Sequence, residues 1–135
     1  MKIEALTQAT GWPVLLRAVF CVLAILPFGY AQSITELKSK AEGGDVQAQL
    51  ALAKAYDLGE GVPRDEEKAV QWWEKAADQG NVSAQVSLGS VYSLGVGVPK
   101  NYAAAVRWWK KAAEQGDVTA EGNLGTAYGL GMGVP

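Results

Sequence analysis

Residues Ala84 to Pro99 read AQVSLGSVYSLGVGVP. The same pattern occurs twice more, as AQLALAKAYDLGEGVP from Ala48 to Pro63 and as AEGNLGTAYGLGMGVP from Ala120 to Pro135. The copies begin 36 residues apart, and the complete units 48–83 and 84–119 share 19 of their 36 positions. A fixed period of this length predicts a solenoid, in which stacked repeats bury a continuous core and present an extended binding surface.

Each complete unit is predicted to be a pair of helices. In the first unit, small and apolar residues recur at spacings of three and four, which predicts a helix from about Val46 to Leu58. Gly59 ends this helix, because glycine best tolerates the left-handed turn that closes a helix. Asp65 can then cap a second helix that reaches about Gln79. The caps follow the period too: Asp45, Asn81 and Asp117 lie 36 residues apart, and Asn101 follows Asp65 by 36.

Two incomplete units flank the repeats. Residues 32–47 lack a tryptophan pair, as expected of a capping helix at the end of a solenoid. Residues 120–135 hold only the first helix of a truncated third repeat, so Leu124, Tyr128 and Leu130 are expected to lack a packing partner. We expect the chain to be a fragment of a longer array; the alternative is that this face meets another molecule. The predicted fold is therefore all-α, an α/α solenoid of about two and a half helical hairpins.

The N-terminal segment, residues 1–31, is predicted to be a secretory signal peptide. Its apolar run, Ala18 to Phe28, is shorter than the about 20 residues that span a membrane. Small residues precede the junction between Ala31 and Gln32, which is the predicted cleavage site. Cleavage would leave a periplasmic or secreted chain. The alternative is a signal anchor, in which residues 14–31 stay uncleaved and hold the chain in the inner membrane. Contact with a membrane is expected only in that case.

The composition argues against most kinds of chemistry. The chain has no histidine, and its one cysteine, Cys21, lies in the N-terminal apolar run. A general base of the imidazole type, a thiol nucleophile and a zinc site are therefore not expected in the repeats, and we predict no catalytic residue, cofactor or metal. The net charge of −2 argues against nucleic acid, because nucleic-acid-binding domains carry a basic patch.

The pairs Trp72–Trp73 and Trp108–Trp109 are predicted to pack between helices, with an exposed edge left on one ring of each pair. The alternative is an aromatic ladder that binds sugars or peptides.

The repeated pattern resembles the Sel-1-like repeat, a relative of the tetratricopeptide repeat. In the second unit the matching positions are Ala84, Gln85, Leu88, Gly89, Tyr92, Gly95, Gly97, Val98, Pro99, Ala105, Trp108, Trp109, Lys111, Ala112, Ala113 and Gly116. The resemblance implies an α/α solenoid that acts as a non-enzymatic scaffold or adaptor for protein partners. Secreted bacterial members are similar in having a signal peptide before the repeats. Some members carry a disulfide in each repeat, and this chain lacks those cysteines.

The resemblance also suggests where a partner would bind, since related helical-hairpin arrays line their concave face with the first helix of each unit. Positions there that vary between units are the candidate binding residues: Ala51, Lys54, Asp57, Ser87, Ser90, Ser93, Asn123 and Thr126. The predicted function is protein–protein interaction in the bacterial envelope or the secreted space. The alternative, which rests on a link of the secreted family to such targets, is an envelope enzyme that acts on cell-wall or β-lactam substrates.

Overall fold

The structure, a computed structural model, describes residues 33–133. Within this range it contains helices and no strand, so the all-α prediction is confirmed. The helices are α1 (33–42), α2 (Val46–Leu58), α3 (Glu66–Asp78), α4 (Val82–Leu94), α5 (Tyr102–Glu114) and α6 (Val118–Gly129). Over these residues no helix is both long and apolar enough to span a membrane. The predicted signal peptide and its junction at Ala31 and Gln32 lie outside the described residues.

The helices from α2 to α6 begin at the capping residues that the sequence predicted. Each cap side chain accepts a hydrogen bond of 2.7–3.0 Å from the backbone N–H three residues later, and these residues are Asp45, Asp65, Asn81, Asn101 and Asp117. Gly59 and Gly95 end α2 and α4 in the left-handed conformation, with φ of 73° and 76°. A cap contributes about 1 kcal/mol, and together these signals fix where each helix starts and therefore which face it buries.

The core combines many small side chains with a few large ones from the two complete hairpins. Leu52 of α2 and Leu88 of α4 are fully buried, and Trp73 of α3 and Trp109 of α5 are buried beside them. The neighbouring Trp72 and Trp108 are half-buried. The ammonium groups of Lys75 and Lys111 lie 4.1 and 4.3 Å from the centroids of these two outer rings. One tryptophan of each pair therefore packs and the other keeps an exposed edge, as predicted.

The two complete hairpins seat their buried tryptophan differently. A Cβ atom added at Gly89 would overlap the Trp109 indole, 2.7 Å from Cε2 and closer still to Nε1 and Cδ1. The corresponding residue one repeat earlier is Ala53, which carries a Cβ and is fully buried. The indole of Trp109 therefore lies against the backbone of α4, and its Nε1 is buried without a hydrogen-bond partner.

A buried amide ties the second hairpin to the end of the first. Gln85, which is 3% exposed, donates from Nε2 to the carbonyl oxygen of Ala77 at 3.3 Å. Its Oε1 accepts from Nε2 of Gln115 at 2.9 Å, and the same Nε2 donates to the Gly80 carbonyl at 3.2 Å. Both helices of the hairpin are thus hydrogen-bonded to the C-terminal turn of α3.

The first hairpin repeats this arrangement. Gln49 donates to the Ala41 carbonyl at 3.1 Å, and Gln79 donates to Gln49 at 2.9 Å and to the Gly44 carbonyl at 3.1 Å. In the third repeat the corresponding residue is Glu121, which is exposed. A carboxylate has no N–H to donate, so α6 lacks this link to the helix before it.

The open face of α6 agrees only partly with the expectation from the sequence. Tyr128 is 49% exposed, whereas Tyr56 at the same place in the first repeat is 8% exposed. Leu124, which was also expected to lack a partner, is instead partly buried against the core formed by α5 and α6. The reason is that Leu124 faces the preceding helix, which is present.

Candidate functional site

The eight predicted binding residues all lie on the first helices of the repeats. Ala51, Lys54 and Thr126 are exposed. The other five are half-buried, namely Asp57, Ser87, Ser90, Ser93 and Asn123. All eight keep some solvent-accessible surface, and each is therefore available for contact.

Four of these side chains already use their hydroxyl proton within their own helix. Ser87 donates to the Ser83 carbonyl, Ser90 to Val86, Ser93 to Ser90 and Thr126 to Gly122, at 2.8–3.1 Å. A hydroxyl oxygen that donates once still has lone pairs to accept with. Towards a partner, this surface therefore offers mainly hydrogen-bond acceptors.

An exposed leucine closes each first helix, a feature that the sequence analysis missed. Leu58, Leu94 and Leu130, called here the helix-end leucines, are 63%, 70% and 69% exposed. Leu58 follows Lys54 by four residues and Ala51 by seven, so it lies on the same helix face as these predicted binding residues. A single exposed leucine is ordinary, but its return in each repeat gives an apolar contact point beside the polar positions.

The helix-end leucines also correct one expectation. Leu130 was expected to be exposed because the third repeat lacks its second helix. Leu58 and Leu94 belong to complete hairpins and are as exposed as Leu130. An exposed leucine at this position is therefore a feature of every repeat and does not result from the missing second helix. The recurrence of leucine every 36 residues was the sequence signal for it.

A cleft of about 240 Å³ lies between α4, the start of α5 and α6. The structure brings three of the predicted residues together in its lining, namely Ser93, Asn123 and Thr126. Leu94 and Lys100 also line it. The other five predicted residues, Ala51, Lys54, Asp57, Ser87 and Ser90, are not part of this cleft.

The charge in this cleft comes from one lysine. The ammonium of Lys100 lies 4.8 Å from the centroid of the Tyr102 ring, and the ion pairs formed among the described residues do not include it. At the corresponding positions of the preceding repeat, Arg64 pairs with Glu66 at 2.7 Å. The cation at this position is therefore paired with a carboxylate in the first repeat, whereas in the second it lies over an aromatic ring.

A larger cleft of about 460 Å³ lies at the start of α3 and is lined by Arg64, Asp65, Glu66, Glu67 and Gly97. Two of its three carboxylates are paired with a cation, one of them Glu66, which pairs with Arg64 at 2.7 Å. Lys68 lies 2.6 Å from the carboxylate of Asp65, and this hydrogen bond lowers the pKa of Asp65 from its ordinary value. Exposed pairs of this kind contribute little to stability, and the third carboxylate of the lining, Glu67, is exposed and belongs to neither pair.

Another tyrosine fixes the contact between the complete hairpins. Tyr92 donates from its hydroxyl to Oε1 of Glu74 on α3 at 2.9 Å. Burial raises the pKa of Tyr92, and the hydrogen bond to Glu74 raises it further, so the phenol remains a donor at neutral pH. Across residues 33–133 no three His, Cys, Asp or Glu side chains come close enough to hold a metal ion.

The model of the Sel1 repeat family matches residues 46–81 and 82–117, which together make up more than half of the chain. It begins each unit two residues before the boundary read from the sequence and so places the start of α2 and α4 at the start of a repeat. A comparison with curated proteins finds no significant match.

Solved structures with the same fold include three bacterial proteins. One is c5321, a protective antigen present in uropathogenic Escherichia coli strains and displaying an SLR fold (38% identity, TM-score 0.74, covering 82% of this chain and 26% of that one). A Sel1 repeat protein from Oxalobacter formigenes is 37% identical with a TM-score of 0.72 over 87% of this chain and 48% of its own. Helicobacter pylori cysteine rich protein B is 30% identical with a TM-score of 0.64 over 67% of this chain and 68% of its own. The chain thus spans about a quarter and about half of the first two proteins.

Proposed function

Because this chain belongs to the Sel1 repeat family, whose members generally mediate protein–protein interactions, we propose that it is a non-enzymatic scaffold. It binds a protein partner through the exposed face of its first helices. The observation that carries this proposal is the recurrence of an exposed leucine at the end of α2, α4 and α6, on the helix face that also bears the variable polar residues.

The physical roles of the two kinds of residue differ. An interface has an apolar core, whose burial favours association, and a polar rim, whose hydrogen bonds help to select the partner. Leu58 and Leu94 recur without change, whereas Lys54 is replaced by Ser90 and Thr126. Each repeat therefore offers the same apolar anchor with a different polar neighbour. Caps fix the helices that hold these residues, and buried amides also fix α2 and α4, which lowers the entropy that binding must overcome.

The proposed location is the periplasm or the secreted space, reached by cleavage between Ala31 and Gln32. The apolar run before this junction and its small residues support this location. If the segment stays uncleaved, the same scaffold is tethered to the inner membrane. The net charge of −2 favours a protein partner over nucleic acid in either case.

Site-specific photo-crosslinking tests the proposed face. A benzoylphenylalanine is placed at Lys54 or at Leu94 in the full chain, which is expressed in the bacterium that carries the gene. The control position is Gln71, which is exposed on α3 and belongs to a second helix. We expect one discrete adduct from the first-helix positions and none from the control.

Adducts of equal yield from all three positions, or none from Lys54 and Leu94, would contradict the proposed face. Labelling of the same cells with a covalent penicillin probe tests the enzymatic alternative. Attachment of the probe to a specific serine or tyrosine of this chain would overturn the proposal that it is non-enzymatic.

A further inference from the structure

The cleft between α4, α5 and α6 combines an apolar wall with one positive charge. Among the described residues that line it, Lys100 is the one charged side chain, and Leu94 and Met132 contribute apolar surface. We propose that this cleft binds a segment of a protein partner in which a carboxylate lies next to a bulky apolar side chain. The inference rests on the proposed function and names the chemistry of the partner.

Comparison with the preceding repeat shows why the carboxylate must come from outside. Two positions that line the cleft, Ser93 and Tyr102, correspond to Asp57 and Glu66 one repeat earlier. In that repeat the cation has an internal partner, the 2.7 Å pair between Arg64 and Glu66. In the cleft both acidic residues are replaced by uncharged ones, so Lys100 keeps its charge without a carboxylate beside it.

The position of Lys100 also prepares it to bind. Its ammonium lies over the Tyr102 ring, which restricts the side chain while leaving donors free, since an ammonium has three N–H groups. A hydrogen bond from an ammonium to a carboxylate is about twice as strong as one between neutral groups. A carboxylate is therefore the group that gains most at this end of the cleft.

The rest of the cleft fits a peptide better than a small molecule. Its volume of about 240 Å³ is below the about 300–1,000 Å³ of sites for drug-sized ligands, so it accommodates one or two side chains. Ala127 lines the cleft and is 1% exposed. Its counterpart in the second repeat is the larger Val91. Leu94, 70% exposed, extends this apolar surface outward.

The polar residues of the cleft match a peptide backbone. Ser93 and Thr126 donate to carbonyls of their own helices and so present acceptor oxygens. Asn123 presents both an amide donor and an amide acceptor. The backbone N–H groups of an extended segment can donate to these oxygens while its acidic side chain reaches Lys100. Different parts of one cleft can thus contact the carboxylate, the apolar side chain and the backbone of such a segment.

Selection from a random peptide library on the immobilised full chain tests the inference. Enriched peptides are expected to carry Asp or Glu within two positions of Leu, Ile, Met or Phe. Fluorescence anisotropy then compares each peptide with a version whose acidic residue is replaced by its amide. We expect the amide version to bind about fivefold more weakly, as for an ion pair near the surface. Amide signals of Ser93, Asn123 and Thr126 should shift in NMR spectra on binding.

Three variants of the chain make the test specific. Lys100→Gln should abolish the preference for the acidic peptide. Arg64→Gln is the matched control at the corresponding position of the first repeat and should keep the preference. Ser93→Asp copies the Asp57 of that repeat into the cleft and should weaken the acidic peptide without weakening its amide version. All three positions retain solvent-accessible surface, and circular dichroism checks that each variant folds.

The possible results separate this inference from the proposed function. If no peptide is enriched, the inference is overturned, whereas the proposed function is decided by crosslinking from Lys54 and Leu94. If peptides are enriched without an acidic residue, or if Lys100→Gln and Arg64→Gln have the same effect, the inference alone is overturned. Enriched acidic peptides whose preference depends on Lys100 and not on Arg64 support both.

Discussion

The buried amide of Gln85 offers a sharp test of how the hairpins are held together. Replacing it by glutamate keeps the shape of the side chain and exchanges the Nε2 donor for an oxygen. The acceptor half is retained, so Gln115 can still donate to it, as it now does at 2.9 Å. The lost contact is the one from Nε2 to the Ala77 carbonyl at 3.3 Å. In its place a buried carboxylate oxygen faces a carbonyl oxygen.

Two contributions set the loss of unfolding free energy that Gln85→Glu causes at pH 7. The lost hydrogen bond alone costs about 1 kcal/mol of unfolding free energy. Burial of the charge adds to this, but the new group can instead take up a proton and donate it to Ala77. For a carboxyl group with an ordinary pKa of about 4.3, protonation at pH 7 costs about 3.7 kcal/mol. We therefore expect Gln85→Glu to lower the free energy of unfolding by about 2–4 kcal/mol at pH 7.

The loss should depend on pH with a definite sign. Burial and the facing carbonyl disfavour the charged form, so the pKa of the new carboxyl group is higher in the folded than in the unfolded chain. As the pH rises above about 4.3, the unfolded state releases its proton first, and stability falls. At pH 4 both states are largely protonated, and the variant should lie within about 1 kcal/mol of the unaltered protein.

Urea denaturation followed by tryptophan fluorescence, at pH 4 and pH 7, measures this difference. Gln71→Glu is the matched control, because it makes the same change at an exposed position and should alter stability by less than about 0.5 kcal/mol. Gln49→Glu should reproduce the effect of Gln85→Glu, since Gln49 is 4% exposed and makes the same contacts. A loss at Gln85 that is equal at both pH values, or no larger than that of the control, would refute the reasoning.

Three further predictions concern the ends of the chain. Glu121→Gln should raise the unfolding free energy by about 0.5–1 kcal/mol in urea denaturation, because an amide can donate to the Ala113 carbonyl; an unchanged midpoint would argue against the amide link. The backbone amides of α6 should exchange hydrogen faster than those of α4, because Trp109 covers Gly89 whereas nothing covers the corresponding Gly125. A second helix with the sequence of α5, added after α6, should therefore raise the Tm. Equal protection of both helices without such a gain would count against this reading. N-terminal sequencing of exported material should find Gln32 first, whereas an intact Met1 in the membrane fraction would support the signal anchor.

Much of the fold could be predicted because its signals are local. A cap acts on the N–H group three residues later, and a glycine in the left-handed conformation ends the helix that it follows. Asp45 and Gly59 therefore bound α2 at Val46 and Leu58, where the sequence predicted it. Because the capping residues and glycines recur every 36 residues, the same helix boundaries are predicted in each later repeat.

The candidate site could be predicted only in part, because it depends on distances between elements. Variation between repeats indicated Ser93 and Asn123, but not that α4 and α6 bring them into one cleft. Lys100 was not singled out, because its importance comes from the uncharged residue at position 102 and from the ring beneath it. The close contact between Trp109 and Gly89 likewise depends on the distance between α4 and α5, which no local sequence pattern specifies.

Repetition itself makes the differences between units interpretable. Gln49 and Gln85, which tie each complete hairpin to the helix before it, recur with corresponding partners at 3.1 and 3.3 Å. Both complete hairpins keep these buried hydrogen bonds although their surface residues differ, so the surface differences between them do not disturb the bonds. The exchange of the Arg64–Glu66 pair for Lys100 and Tyr102 therefore alters the charge that a partner meets while the backbone stays in place. If the array binds partners as proposed, single substitutions at these positions should change which partner it binds, because the buried amides and caps lie elsewhere in the repeat.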